Sequence, residues 1–220
     1  MDDFVNISNL NTTTDIKNIF YINLTHRTDR KSHAQYQLET VFDPQHINRF
    51  NAVKLENGAL GCSMSHLKCL QHAKERNLDH VVICEDDITF LNPLLFKGQM
   101  NKFLETNKDW DVLLLGGNNF QPYKQIDDTC IKVGHCQTTT GYLVRQHYYD
   151  VLIDNIKRGI AFLLRNPKEH VKYAIDKYWL QLQQNDLWYL LIPITVIQLQ
   201  GYSDIEKKET NYVHAMLSIK

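Results

Sequence analysis

Val81-Val82-Ile83-Cys84-Glu85-Asp86-Asp87 sets an unbroken apolar run directly against three acids. Such a run has the composition of a strand buried on both faces, the kind found inside a sheet covered by helices. Carboxylates crowded at a strand's exit repel one another unless a cation or a set of donors holds them. In an extended backbone, residues i and i+2 point to the same side, so Glu85 and Asp87 are expected to converge on one ion with Asp86 facing away. Their oxygens suit Mn²⁺ or Mg²⁺, ions that keep coordination positions open for a substrate's phosphate oxygens. A solvated acidic turn is the competing reading.

Working outward, Ile19-Phe20-Tyr21-Ile22-Asn23-Leu24 predicts a first buried strand, with a charged helix over 27–40 and a short strand over 49–53. Leu60, Met64, Leu67 and Leu70 recur at helical spacing within 60–76, directly before the acidic strand. Downstream, the pattern predicts a helix over 94–104, a strand over 110–115 ending at Gly116-Gly117, and a β-branched apolar segment over 138–144. Helices over 146–164 and 171–184 and a strand-like segment over 188–199 complete it. Strands alternating with helices give an α/β fold with a mixed, mostly parallel sheet flanked by helices. Ligands of such sheets bind outside the carboxyl ends of the strands, where Asn23, Glu85 and Gly116 fall. No glycine-rich dinucleotide fingerprint follows the first strand, and no P-loop occurs.

A chain of 220 residues with 43% hydrophobic content can bury a full core. One catalytic domain over 18–220 is expected, preceded by a polar extension over 1–17. A formal charge of -1, with basic residues scattered, gives no footprint for nucleic acid or an anionic membrane. The apolar stretch 187–197 is too short for a bilayer and carries Pro193, and the first residues lack the plan of a signal peptide. Five cysteines without a CxxC pair argue against a disulfide framework. These features predict a cytoplasmic setting without membrane insertion, either alone or as a domain of a larger or viral protein.

Three blocks carry a resemblance. Tyr21-Ile22-Asn23-Leu24-Thr25-His26-Arg27-Thr28-Asp29-Arg30 resembles the opening signature of glycosyltransferase family 25, which includes lipooligosaccharide and procollagen galactosyltransferases. Gly58-Ala59-Leu60-Gly61-Cys62-Ser63-Met64-Ser65-His66 is similar to its GxxGCxxSH segment, and Ile83-Cys84-Glu85-Asp86-Asp87-Ile88 to its acidic motif. Thr138-Thr139-Thr140-Gly141-Tyr142, Ile175-Asp176, Gln198 and Ser203-Asp204-Ile205 are softer matches. The resemblance implies a GT-A-type fold, a nucleotide-sugar donor, Mn²⁺ or Mg²⁺, and inversion at the anomeric carbon; the expected donor is a UDP-sugar of galactose or glucose, and the expected acceptor a glycan or a collagen-like hydroxylysine. A metal-dependent phosphohydrolase and an inactive scaffold of the same fold are the rivals.

The roles follow from chemistry and resemblance together. Glu85 and Asp87 are the expected metal ligands, and Asp86 a contact for ribose or sugar hydroxyls. Arg27 and Arg30 either meet phosphate oxygens or form a surface pair bridged to Asp29 or Glu39. Asn23, with Leu24 beside it, either touches the donor or braces the first turn, since an unsatisfied buried amide is costly. Ser65 and His66 approach the donor pocket, or His66 is a hydrogen-bonded core residue. Zinc on Cys62, His66 and Cys69 is disfavoured, because three ligands on one helix seldom converge. Gly141 belongs to the small-residue stretch assigned to the donor pocket. Asp176 is either the general base or an exposed acid beside Lys177, with Tyr178 and Trp179 as a stacking wall. Position alone nominates His214 as a late metal ligand.

Overall fold

The computed structural model describes residues 10–106, 109–203 and 207–218. β1 (Ile19–Asn23), α1 (Thr28–Glu39), β2 (Ile47–Asn51), α2 (Gly58–Glu75) and β3 (His80–Glu85) wind a βαβαβ unit with β1 parallel to both other strands. Then come β4 (Ile88–Phe90), α3 (Pro93–Thr106), β5 (Val112–Leu114), β6 (Asn118–Asn119), β7 (Tyr123–Gln125), β8 (Cys130–Val133), β9 (Cys136–Gln137) and β10 (Gly141–Arg145). The remainder is α4 (Tyr149–Arg165), α5 (His170–Tyr173), α6 (Ile175–Tyr178), α7 (Leu180–Asn185), β11 (Trp188–Leu191), β12 (Val196–Gln198), β13 (Gly201–Ser203), β14 (Lys208–Thr210) and α8 (Val213–Leu217).

The main sheet has eight strands in the order β2-β1-β3-β10-β5-β11-β8-β7. Only β10 and β8 run against the other six, so the expected mixed, mostly parallel sheet is present. Both faces are covered, which is why the central strands read as continuous apolar runs rather than alternating ones. Ile19, Tyr21, Val82 and Cys84 pack with Ala34, Leu38, Phe96 and Met100 of α1 and α3 on one face. Phe20, Ile22, Val81 and Ile83 pack with Leu70 of α2 and with Leu152 and Ile156 of α4 on the other.

Three expectations change. The segment 138–144 becomes a strand only from Gly141, inserted antiparallel between β3 and β5. The helix over 171–184 breaks into α5, α6 and α7, with Ala174 at φ -56, ψ 150 parting the first two and Trp179 the last two. Gly159 of α4 accommodates the break: a side chain there would stand 3.2 Å from the Tyr173 carbonyl and 3.3 Å from the Tyr178 ring. The strand-like segment 188–199 divides into β11 and β12 around Pro193, which has no N–H for a ladder. Of the polar extension, the described part from Leu10 packs inward, with Leu10 and Ile16 buried and Thr13 N–H donating to Asn101 Oδ1 at 2.8 Å.

Candidate active site

β3 ends at Glu85, and Asp86 and Asp87 form the turn into β4. Because the backbone turns there, the alternation of an extended strand does not apply: Asp86 and Asp87 meet the same nitrogen. Arg30 Nη1, from the first turn of α1, donates to Asp86 Oδ1 at 3.1 Å and Asp87 Oδ2 at 3.2 Å. Arg30 Nη2 donates to the Tyr202 carbonyl at 2.9 Å, tying β13 to the acids.

Glu85, on the same rim, has a different set of partners. Its Oε1 accepts from Thr139 Oγ1 at 2.7 Å and Cys62 Sγ at 3.5 Å, and its Oε2 from Gln198 Nε2 at 3.1 Å. His66 Nε2 lies 3.6 Å from Oε1. Burial alone would raise the Glu85 carboxyl, but the imidazole and these donors outweigh it and hold the group below its ordinary value. Asp87 lacks such help. Burial first, then the charge of Glu85, push it up to about 8 despite Arg30. Its Oδ1 is buried and has no hydrogen-bond partner. A buried carboxylate oxygen left over beside a second carboxylate fits a cation ligand, since the unpaired state costs several kcal/mol by order of magnitude.

The acids line a cavity of about 720 Å³ between the carboxyl ends of β1 and β3, the loop after β2 and the hairpin β13–β14. That volume suits a ligand of nucleotide-sugar size. The profile of glycosyltransferase family 25 (LPS biosynthesis protein) matches residues 39–162, over half of the chain. The chain belongs to glycosyltransferase family 25.

The family 25 match holds the Gly58–His66 block, the acids and Gly141, whereas Asn23, Arg30, Asp176 and Gln198 lie outside it. Procollagen galactosyltransferase 1-B of Xenopus laevis is 26% identical over 133 residues, 47% of this chain and 21% of that protein. Procollagen galactosyltransferase 1 of Danio rerio is 24% identical over 181 residues, 74% of this chain and 30% of that protein. The chain therefore spans less than a third of the length of these relatives. Among solved structures, a glycosyltransferase involved in the glycosylation of the major capsid of PBCV-1 superposes with a TM-score of 0.40 at 9% identity, covering 80% of this chain and 92% of that one.

The other expected residues of this family 25 chain divide by where they face. Leu24, Arg30, Ser65, His66 and Asp176 line the cavity with the three acids, whereas Asn23, Arg27 and Gly141 do not. Asn23 spends its amide on Asp86 Oδ2 at 2.7 Å and the Arg27 carbonyl at 3.0 Å, and its Oδ1 accepts from Arg49 Nε at 2.8 Å. Arg27 forms a two-bond pair with Asp29, Nε to Oδ1 at 3.0 Å and Nη2 to Oδ2 at 2.8 Å. Ser65 accepts the Val53 N–H at 2.8 Å and donates to the Gly61 carbonyl at 2.7 Å. At Gly141 a side chain would meet Ile88 at 3.0 Å and Leu115 at 3.3 Å, so the bare position closes the core under the site.

Asp176 Oδ2 accepts the Thr138 N–H at 3.2 Å and sits 3.5 Å from Lys177 Nζ. Thr138 pays for this position with φ 81, a left-handed conformation that a β-branched residue rarely adopts. Trp179 is not a stacking wall; it is fully buried against Tyr142 and Trp188, with ring centroids 5.6 and 5.1 Å away. His214 is exposed on α8 and lies off the cavity lining. Asp204 and Ile205 of the closing block lie outside the described residues. Two partners of Glu85 received no role from the sequence. Gln198 carried a usable signal, since it is polar directly after the apolar pair Val196-Ile197, as Asn23 is after its own run. Thr139, the middle of three threonines, carried only its place in the softer Thr138–Tyr142 match.

Proposed function

We propose that this chain transfers a hexose from a UDP-sugar, galactose before glucose, to an acceptor hydroxyl with inversion at the anomeric carbon, using Mn²⁺ or Mg²⁺. The observation that carries the reading is the unpartnered, buried Oδ1 of Asp87 beside Glu85 in the wall of a cavity of nucleotide-sugar size. The names of the curated relatives favour galactose as donor sugar and a collagen-like chain as acceptor, where the hydroxyl would be that of a hydroxylysine, with another glycan as the second choice.

Glu85 and Asp87 would hold the cation, which when bound neutralises charge on the departing diphosphate. Arg30 supplies a fixed positive charge beside them, placed by its bonds to Asp86 and Asp87. Asn23 and Arg49 position Asp86 rather than touching the donor. Asp176 accepts the proton of the acceptor hydroxyl; the acceptor oxygen bonds to the anomeric carbon as the bond to the diphosphate oxygen breaks and UDP leaves. The Thr138 N–H fixes one oxygen of Asp176 and leaves the other for that proton.

A thermal-shift panel of UDP-galactose, UDP-glucose, UDP and non-uridine nucleotide sugars, each with and without Mn²⁺, tests this. One UDP-sugar is expected to stabilise the protein only with metal, by about 2.7 kcal/mol at 100 times its Kd. Equal stabilisation without metal removes the cation from the reading. Release of sugar phosphate or free sugar at the same rate with and without acceptor makes the protein a hydrolase instead.

A further inference from the structure

Cys62, His66 and Glu85 turn one ligand atom each toward a common point, all within 4.8 Å of one another. Cys62 and His66 stand four residues apart in α2 and so share a face one turn apart, and Glu85 faces them from the end of β3. The His66 ring is completely buried, its Nδ1 3.1 Å from Tyr142 Oη and its plane stacked on the tyrosine ring at 5.7 Å. Its Nε2 has no hydrogen-bond partner and is aimed at Glu85 Oε1 from 3.6 Å, too far for a hydrogen bond. Cys62 Sγ reaches the same oxygen at 3.5 Å. Ligands of a tetrahedral ion with bonds of about 2.0–2.3 Å stand roughly 3.3–3.7 Å apart, so both separations from Glu85 Oε1 already suit a metal.

We propose that Cys62, His66 and Glu85 form a site for a thiophilic divalent cation of the zinc type, different in ligand chemistry from the hard cation assigned to Glu85 and Asp87. One thiolate and one carboxylate balance a doubly charged ion, so the buried site is neutral when filled. Binding breaks the Cys62 S–H bond, and the proton leaves to solvent as the S–metal bond forms; no oxidant or reductant takes part. Tyr142 fixes the far nitrogen of the imidazole, as the outer partner of a metal-bound histidine does. All three residues line the cavity, which provides the entry path and a solvent ligand for the fourth position. Glu85 has a place in both sites, so zinc and manganese-dependent transfer exclude each other; this consequence rests on the function proposed above.

Cobalt titration of the full chain tests the site without reference to transfer. The wild type is expected to take up one Co²⁺ with a thiolate charge-transfer band in the near ultraviolet and tetrahedral bands in the visible, and Zn²⁺ displaces both. Cys62→Ser is expected to lose the ultraviolet band, and His66→Gln to weaken zinc binding by at least about 100-fold, the upper end of what losing an outer partner costs. Cys69→Ser, in the same helix but outside the cluster, keeps the spectrum. Circular dichroism establishes that each variant is folded, and His66→Gln decides the matter should Cys62→Ser not fold. A wild type without a thiolate band, or a band that persists in Cys62→Ser, overturns the site. Either result leaves the nucleotide-sugar panel unaffected, so the two readings fail separately.

Discussion

Asn23 Nδ2 donates to Asp86 Oδ2 at 2.7 Å, joining the last residue of β1 to the turn that follows β3. The amide also accepts from Arg49 and donates to the Arg27 carbonyl, so a single buried side chain sets the spacing of two strand ends. Asn23→Leu leaves Asp86 and the Arg27 carbonyl without that donor. A loss of about 2–3 kcal/mol in urea unfolding is expected, because a hydrogen bond to a charged group and the desolvation of its partner are both at stake. A loss below about 0.5 kcal/mol means that water or Arg30 replaces the amide.

Asp87→Asn separates stability from activity. The carboxylate is disfavoured by burial and by Glu85, so its removal is expected to leave stability unchanged or raise it by about 1 kcal/mol. Transfer falls by at least about 100-fold, and the added stabilisation by Mn²⁺ disappears. Retained metal-dependent activity in this variant removes Asp87 from the ligand set.

Asp176→Asn keeps an oxygen for the Thr138 N–H while removing the proton acceptor. Turnover is expected to drop by about 10²–10⁴ and the acid limb of the pH–rate profile to flatten, with donor binding in the thermal-shift assay intact. Unchanged turnover assigns the residue to bracing the 138–140 loop alone.

Thr138→Gly removes a side chain from a left-handed position at φ 81. Relief of that strain is expected to stabilise the fold by about 1 kcal/mol in thermal or urea unfolding. Because Thr138 Oγ1 also pairs with Thr140 Oγ1 at 3.1 Å, the glycine variant loosens the approach to Glu85 and Asp176. Turnover is expected to fall while stability rises, and a stability loss instead would mean that the hydroxyl pair outweighs the strain.

The layers of the fold were legible because β1 and β3 are apolar on both faces and α2 has helical spacing, signals that survive any tertiary detail. The place of the acids at a strand exit was legible for the same reason. Their orientation was not, since a turn rather than an extended backbone follows Glu85, and Arg30 is contributed from 55 or more positions away. The break at Ala174 left no mark either: alanine is a strong helix former, and the bend is one that Gly159 of α4 leaves room for. The edge strand β7 went unseen because Tyr123–Gln125 is short and mostly exposed.

The reversed course of β10 has a consequence for how the rim is assembled. Its neighbour β3 offers its closing residue Glu85 to the cavity, whereas β10 offers the segment leading into it, so the Thr140 carbonyl receives the Glu85 N–H at 3.0 Å just as Thr139 reaches the side chain. One short approach segment thereby touches the acid from backbone and hydroxyl at once and meets Asp176 from its other end. Lengthening the connection before Gly141 by a single residue would uncouple all three, while an insertion of equal size beyond Arg145, at the opposite margin of the sheet, would leave them in place.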